Sequence, residues 1–170
     1  RQKTEKAATS DNTAEPVDEI SPRVIFGQQL RTLLSEQKWD EAVNLFDTLP
    51  EEDRESLSIR NLKIAVLVST GRIKDAEETA KALEKQYPNN LDVLYTMTMV
   101  AQAKNDIKMR KTYLKKILKL DPDNVQALLD EGIDFYNQGN YKEAGETFGK
   151  ILKNHPNDTQ ALIWCGRVYY

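Results

Sequence analysis

The chain holds one cysteine, Cys165, and one histidine, His155, so it has little with which to do covalent or metal chemistry. A lone thiol cannot close an internal disulfide, and a lone imidazole leaves a metal site or a histidine-dependent mechanism almost nothing to work with. The sequence contains no glycine-rich phosphate loop, no paired His-Glu-His pattern and no nucleophile elbow. We therefore expect no catalytic residue, no metal and no cofactor. His155 precedes Pro156, beside helix-end carbonyls that favour its charged form, and is expected to cap a loop rather than act as a base. Cys165 falls on the packed face of the last helix, where a small hydrophobe is expected. The triplet Asn157-Asp158-Thr159 fits a glycosylation acceptor, but it lies at a helix start and such triplets arise by chance.

What remains is chemistry of contact. Of 170 residues, 39% are apolar and 30% charged, enough to bury the core of about one domain. No stretch approaches the roughly 18 to 20 apolar residues that cross a bilayer. The net charge is −3 and the pI is near 5.4, which argues against a general nucleic-acid binder. Residues 1–22 contain no aromatic side chain and only Val17 and Ile20 as branched apolar ones; with a net charge of −2 they read as a flexible linker. The chain opens on Arg1 and not on Met, as a processed product or a fragment would.

The elements that must position any contact surface recur with a period of 34. Tyr87-Pro88-Asn89-Asn90, Asp121-Pro122-Asp123-Asn124 and His155-Pro156-Asn157-Asp158 each pair a helix-ending proline with an Asn or Asp able to cap the next helix. Units then run over 23–56, 57–90, 91–124 and 125–158, with a half-unit at 159–170. A breaker divides each unit into two helical segments: Glu36-Gln37-Lys38, Thr70-Gly71-Arg72, Lys104-Asn105-Asp106 and Gln138-Gly139-Asn140. Helical spacing marks the second segments, as in Tyr141, Ala144, Phe148, Ile151 and Leu152. Such hairpins bury their faces only by stacking, which predicts an all-α fold, a right-handed α-solenoid of antiparallel helix pairs with a concave and a convex surface.

These residues resemble the tetratricopeptide repeat. In the unit from Val125 to Asp158, Gly132 stands at the eighth place, Phe135 at the eleventh, Tyr141 after the turn, Ala144 at the twentieth, Phe148 at the twenty-fourth and Pro156 at the thirty-second. The resemblance covers residues 23–170. Other units depart from it. The first has Leu30 at the small-residue place, keeps Trp39, Ala42 and Phe46 in its second helix, and lacks the terminal proline. The second has Ile64 at the crossing. The third has Arg110 where alanine is expected; that Arg must snorkel or pair, which predicts a splayed or re-registered third hairpin.

The resemblance implies a non-enzymatic protein-interaction scaffold whose first helices line the concave groove. It places Tyr95, Met99 and Gln102, then Leu129, Ile133, Tyr136 and Asn137, then Ile163, Arg167 and Tyr170 in a groove for a protein or peptide ligand. The apolar members read either as a contact surface or as packing between hairpins. The Lys-Asn-Arg clamp by which some members hold acidic chaperone tails is absent. Aligned from the second unit, its places carry Asn61, Ala65, Thr96, Gln126 and Asp130, and Asp130 repels a carboxylate. Pentatricopeptide RNA binders have a similar architecture, but a basic groove is missing, so no nucleic-acid partner is expected. Charge runs −4, +2, +3 and −3 over the four units. Lys108, Arg110, Lys111, Lys115, Lys116 and Lys119 form either a solvated convex face or a docking face for an anionic protein or membrane surface.

Two other readings stand beside the scaffold. The last half-unit has no second helix to cover Ile163, Trp164, Val168, Tyr169 and Tyr170, so a homodimer through that helix would bury them. Alternatively the array is an accessory region of a larger membrane-anchored or envelope-assembly protein, itself not touching the membrane. We expect a bacterial protein, cytoplasmic or periplasmic.

Overall fold

The structure, a computed structural model, describes residues 21–170, and the expected linker lies outside them except for Ser21 and Pro22. The described residues form helices and turns with no strand. In order they are α1 (Pro22–Ser35), α2 (Trp39–Asn44), a 3-10 turn (Leu45–Thr48), α3 (Glu51–Arg54), α4 (Leu57–Ser69), α5 (Ile73–Gln86), α6 (Leu91–Ala103), α7 (Ile107–Leu120), α8 (Val125–Asn137), α9 (Tyr141–Asn154) and α10 (Thr159–Tyr169).

Local chemistry explains the boundaries. The residue before each repeat proline is forced out of helical geometry: Tyr87, Asp121 and His155 have φ of −131°, −138° and −130°. The next helix is then capped by a side chain. Asn90 Oδ1 accepts from Val93 N at 3.2 Å, Asn124 Oδ1 from Ala127 N at 3.0 Å and Asp158 Oδ1 from Ala161 N at 2.8 Å. Within the hairpins the chain turns through one left-handed residue at each breaker, Gln37 (φ 58°), Gly71 (79°), Asn105 (56°) and Gly139 (78°). The following amides of Lys38, Arg72, Asp106 and Asn140 bond back to the carbonyls of Leu33, Leu67, Ala101 and Phe135 at 2.8–2.9 Å, so all four turns close in the Schellman manner.

Packing follows the volumes at the crossing. Gly132 lies so close to Phe148 that a Cβ there would sit 2.5 Å from the ring. In the second unit the sizes are exchanged, with Ile64 and Ala80 both fully buried. The first unit has large residues at both places, Leu30 and Phe46, and the Phe46 ring packs edge-on to Phe26 at 5.0 Å. Its second helix is correspondingly shortened. α2 stops after six residues, Phe46 falls in the 3-10 turn, and Leu49 is extended ahead of Pro50.

The third hairpin is neither splayed nor re-registered, contrary to the expectation drawn from Arg110. Val93, Leu94, Met97, Val100, Leu114 and Ile117 are all buried within it, and α6 and α7 begin 34 residues after α4 and α5. The departure lies one step further on. α4 packs against α6 and α8 against α10, whereas from the preceding unit α8 is met chiefly by α7 rather than by α6. The core divides accordingly. One cluster runs from Phe26 to Val100, another from Leu128 to Ala161, and Leu94, Leu114, Ile117 and Ala127 bridge them.

Candidate partner-binding groove

Tyr95, Met99 and Gln102 recur at intervals of four and three on α6, as do Leu129, Ile133 and Tyr136 on α8, so each set shares one helix face; Ile163 and Arg167 stand four apart on α10, and Tyr170 follows its last residue. Their accessibility differs. Leu129 is 8% exposed and belongs to the core cluster beneath the face, since it packs with Leu128, Ala144 and Phe148. Tyr95, Met99, Ile133 and Tyr136 are half-buried, and Ile163 is 45% exposed. Gln102, Asn137, Arg167 and Tyr170 are exposed.

Besides Gln102, which accepts from Arg110, three of these side chains have fixed partners. Tyr95 Oη donates to Asn124 Oδ1 at 2.5 Å, tying α6 to the cap of α8. Burial, and after it the charges of Asp130 and Asp121, push the Tyr95 hydroxyl up to about 12. The Tyr136 ring meets Tyr141 at 5.1 Å and Trp164 at 5.3 Å, both edge-on. The Arg167 guanidinium lies 4.6 Å from the centre of the Trp164 ring.

Arg110 is the residue whose role the sequence left open. Its side chain is 13% exposed and pairs forward onto α8 and back onto α6. Nε donates to Asp134 Oδ2 at 2.8 Å, Nη1 donates to Gln102 Oε1 at 2.7 Å, and Nη2 lies 3.7 Å from Asp130 Oδ1. Burial pushes the Asp130 carboxyl above its ordinary range, against the opposing pull of Arg110 and a hydrogen bond from Gln126. Beside this network opens a notch of about 230 Å³ lined by Gln102, Asn105, Asp106, Arg110, Ile133, Asp134 and Asn137, among others. The signal for it was the arginine at a small-residue place; Asp130 and Asp134 carried none of their own.

The other candidates resolve simply. His155 Nε2 lies 3.0 Å from Asp123 Oδ2, linking two successive proline turns. Asp123 is held below the usual carboxylate range first by the Asn154 amide and then by His155. Cys165 is partly buried against the C-terminal cluster, which pushes its thiol up. Of the basic run, Lys116 pairs with Glu84 at 2.9 Å, Lys111 lies 6.0 Å from the Phe135 ring and Arg110 turns inward; Lys108, Lys115 and Lys119 are exposed. Among the described residues no group of three or more His, Cys, Asp or Glu could hold a metal ion, and no helix is long and apolar enough to cross a membrane.

Repeated helical hairpins with an unbroken 34-residue register define an α-solenoid built for surface contact. Residues 31–107 and 126–158 match profiles of the tetratricopeptide repeat, and the chain belongs to that family. It is 28% identical over 125 residues to the TPR repeat-containing protein PA4667 of Pseudomonas aeruginosa, a match that takes in 72% of this chain. That match spans only 21% of the relative's length. Among solved structures, a tetratricopeptide repeat protein from Parabacteroides merdae superposes with a TM-score of 0.68 at 12% identity, over 85% of this chain and 58% of that one. MamA from Desulfovibrio magneticus superposes with a TM-score of 0.61 at 19% identity, over 82% and 78%. At these identities the likeness is one of fold.

Proposed function

We propose that the chain is a non-enzymatic scaffold that holds a peptide or helix of a partner protein against the first helices of its C-terminal half. The observation that carries this reading is the run of half-exposed apolar side chains, Tyr95, Met99, Ile133, Tyr136 and Ile163, on three successive first helices of one register. Burial of such a set on binding supplies affinity at a few anchors, with Gln102, Asn137 and Arg167 as a polar rim. Leu129 supports the floor from below. The test is selection of random dodecamer peptides displayed on phage against the wild type and against a Tyr95→Ala, Tyr136→Ala, Ile163→Ala variant. Enrichment on the wild type that is lost on a variant of unchanged helicity supports the groove; equal enrichment on both contradicts it.

A second reading has its own observation. Leu162 and Ile163 on α10, with Tyr169 and the following Tyr170, expose large apolar surface, which a second copy of the chain would cover as a homodimer. Light scattering across a range of concentrations tests it. A mass that doubles, and returns to the monomer value on Leu162→Lys, Tyr169→Lys substitution, supports self-association; a monomer at every concentration contradicts it. The relative's greater length is compatible with an accessory array within a larger envelope-assembly protein, and the Pseudomonas match with a bacterial setting.

A further inference from the structure

The notch beside Arg110 gives the proposed groove a charge. Arg110 brings one positive charge; its Nε and Nη1 donate to Asp134 and Gln102, and its Nη2 lies 3.7 Å from Asp130. Asp106 and Asp134 line the notch with two negative ones, and Asp130 adds a third carboxylate 3.7 Å from the guanidinium outside the lining, so carboxylates outnumber the guanidinium. Gln102, Asn105 and Asn137 line the same opening with carboxamide side chains, the Gln102 oxygen being taken by Arg110. At about 230 Å³ the space would hold several waters or one long side chain. Ile133, a member of the apolar face, also lines the notch, so the apolar face and the acidic notch adjoin.

Resting on the groove reading above, we propose that the bound segment of the partner protein carries a Lys or Arg beside an aliphatic or aromatic anchor. The cation enters the notch toward Asp134, and the anchor lies on Tyr95, Met99 and Ile133. Charge complementarity selects this occupant. An acidic or phosphorylated segment meets the carboxylates of Asp106 and Asp134 there. In the chain's own residues 1–22 the basic residues Arg1, Lys3 and Lys6 lie more than ten positions from the only branched apolar ones, Val17 and Ile20, so the two halves of the match do not stand side by side there.

The dodecamer selection tests this through the composition of what it retains at low salt. The wild type is expected to enrich Lys or Arg next to Leu, Ile, Phe, Tyr or Trp. Asp130→Asn, Asp134→Asn together should keep the apolar enrichment and lose the basic one. Arg110→Ala, which installs the residue typical of the repeat, should strengthen the basic preference. On the unmodified protein, replacing the Lys of a selected peptide by norleucine should weaken binding about tenfold at low salt and less at high salt, a comparison that stands even where a variant fails to fold. Apolar enrichment without basic residues, or acidic enrichment, overturns this inference while leaving the groove intact. No enrichment on the wild type overturns both. An array that enriches nothing but doubles its mass at low salt has a second copy as its occupant, which likewise overturns it.

Discussion

At positions 37 and 105 the backbone turns left-handed on Gln and Asn, where positions 71 and 139 use glycine. Left-handed geometry costs an ordinary L-residue about 1–2 kcal/mol and asparagine less, so Gln37→Gly should stabilise the fold by about 1 kcal/mol and Asn105→Gly by a few tenths, read from urea denaturation. Loss of stability at either site would contradict the turn geometry. Gly132 behaves oppositely. An added Cβ meets the Phe148 ring at 2.5 Å, so Gly132→Ala should cost about 1–3 kcal/mol. Gly149, on the exposed side of α9 with nothing within 4 Å of an added Cβ, should gain about 0.5–1 kcal/mol on the same substitution. The prolines, caps and glycine turns were legible because each acts through its own backbone. The left-handed Gln37 was not, since nothing in glutamine's chemistry announces that conformation; only the 34-residue period points to it.

The elements show how a local departure is absorbed. In the first unit, two large crossing residues shorten α2 and turn its continuation into 3-10 geometry, a consequence of summed volume that no single residue reveals. In the third unit the hairpin stays intact around Arg110, whose side chain ties α7 to α8 through Asp134. The sequence identified the unusual residue and the need for a partner, but Asp130 and Asp134 are brought to it only by stacking. The same network gives a pH dependence. Asp130 is raised in the folded state, so folding favours its protonated form, and this group's effect on stability is least favourable at neutral pH and improves as pH falls into its raised range. Asp130→Asn should therefore be more stable than the wild type at neutral pH, with the gap closing on acidification in thermal melts. A gap that widens would contradict the burial of this carboxyl. Glu77, held low first by hydrogen bonds from Lys104 and Lys81, works in the other sense: its stabilisation is lost as pH falls through its lowered range.

For the whole molecule the architecture was the most legible feature, because a period repeated along the chain states the fold once per unit. The face that meets a partner was legible only in part. The resemblance to the repeat family chose Tyr95, Met99, Ile133 and Ile163, whereas the depth at which Leu129 lies depends on Phe148 and Ala144 of the following helix. Spacing also gave no hint that Tyr136 is clasped between Tyr141 and Trp164. The central claim is that a partner segment is held on the first helices α6, α8 and α10. It is tested most directly by amide and methyl NMR shifts of the array titrated with a dodecamer peptide selected on it. The account predicts perturbations concentrated at Met99, Gln102, Ile133, Asn137 and Ile163. Perturbations concentrated on the outer faces of α7 and α9, at Lys108, Lys115 or Lys150, would contradict it.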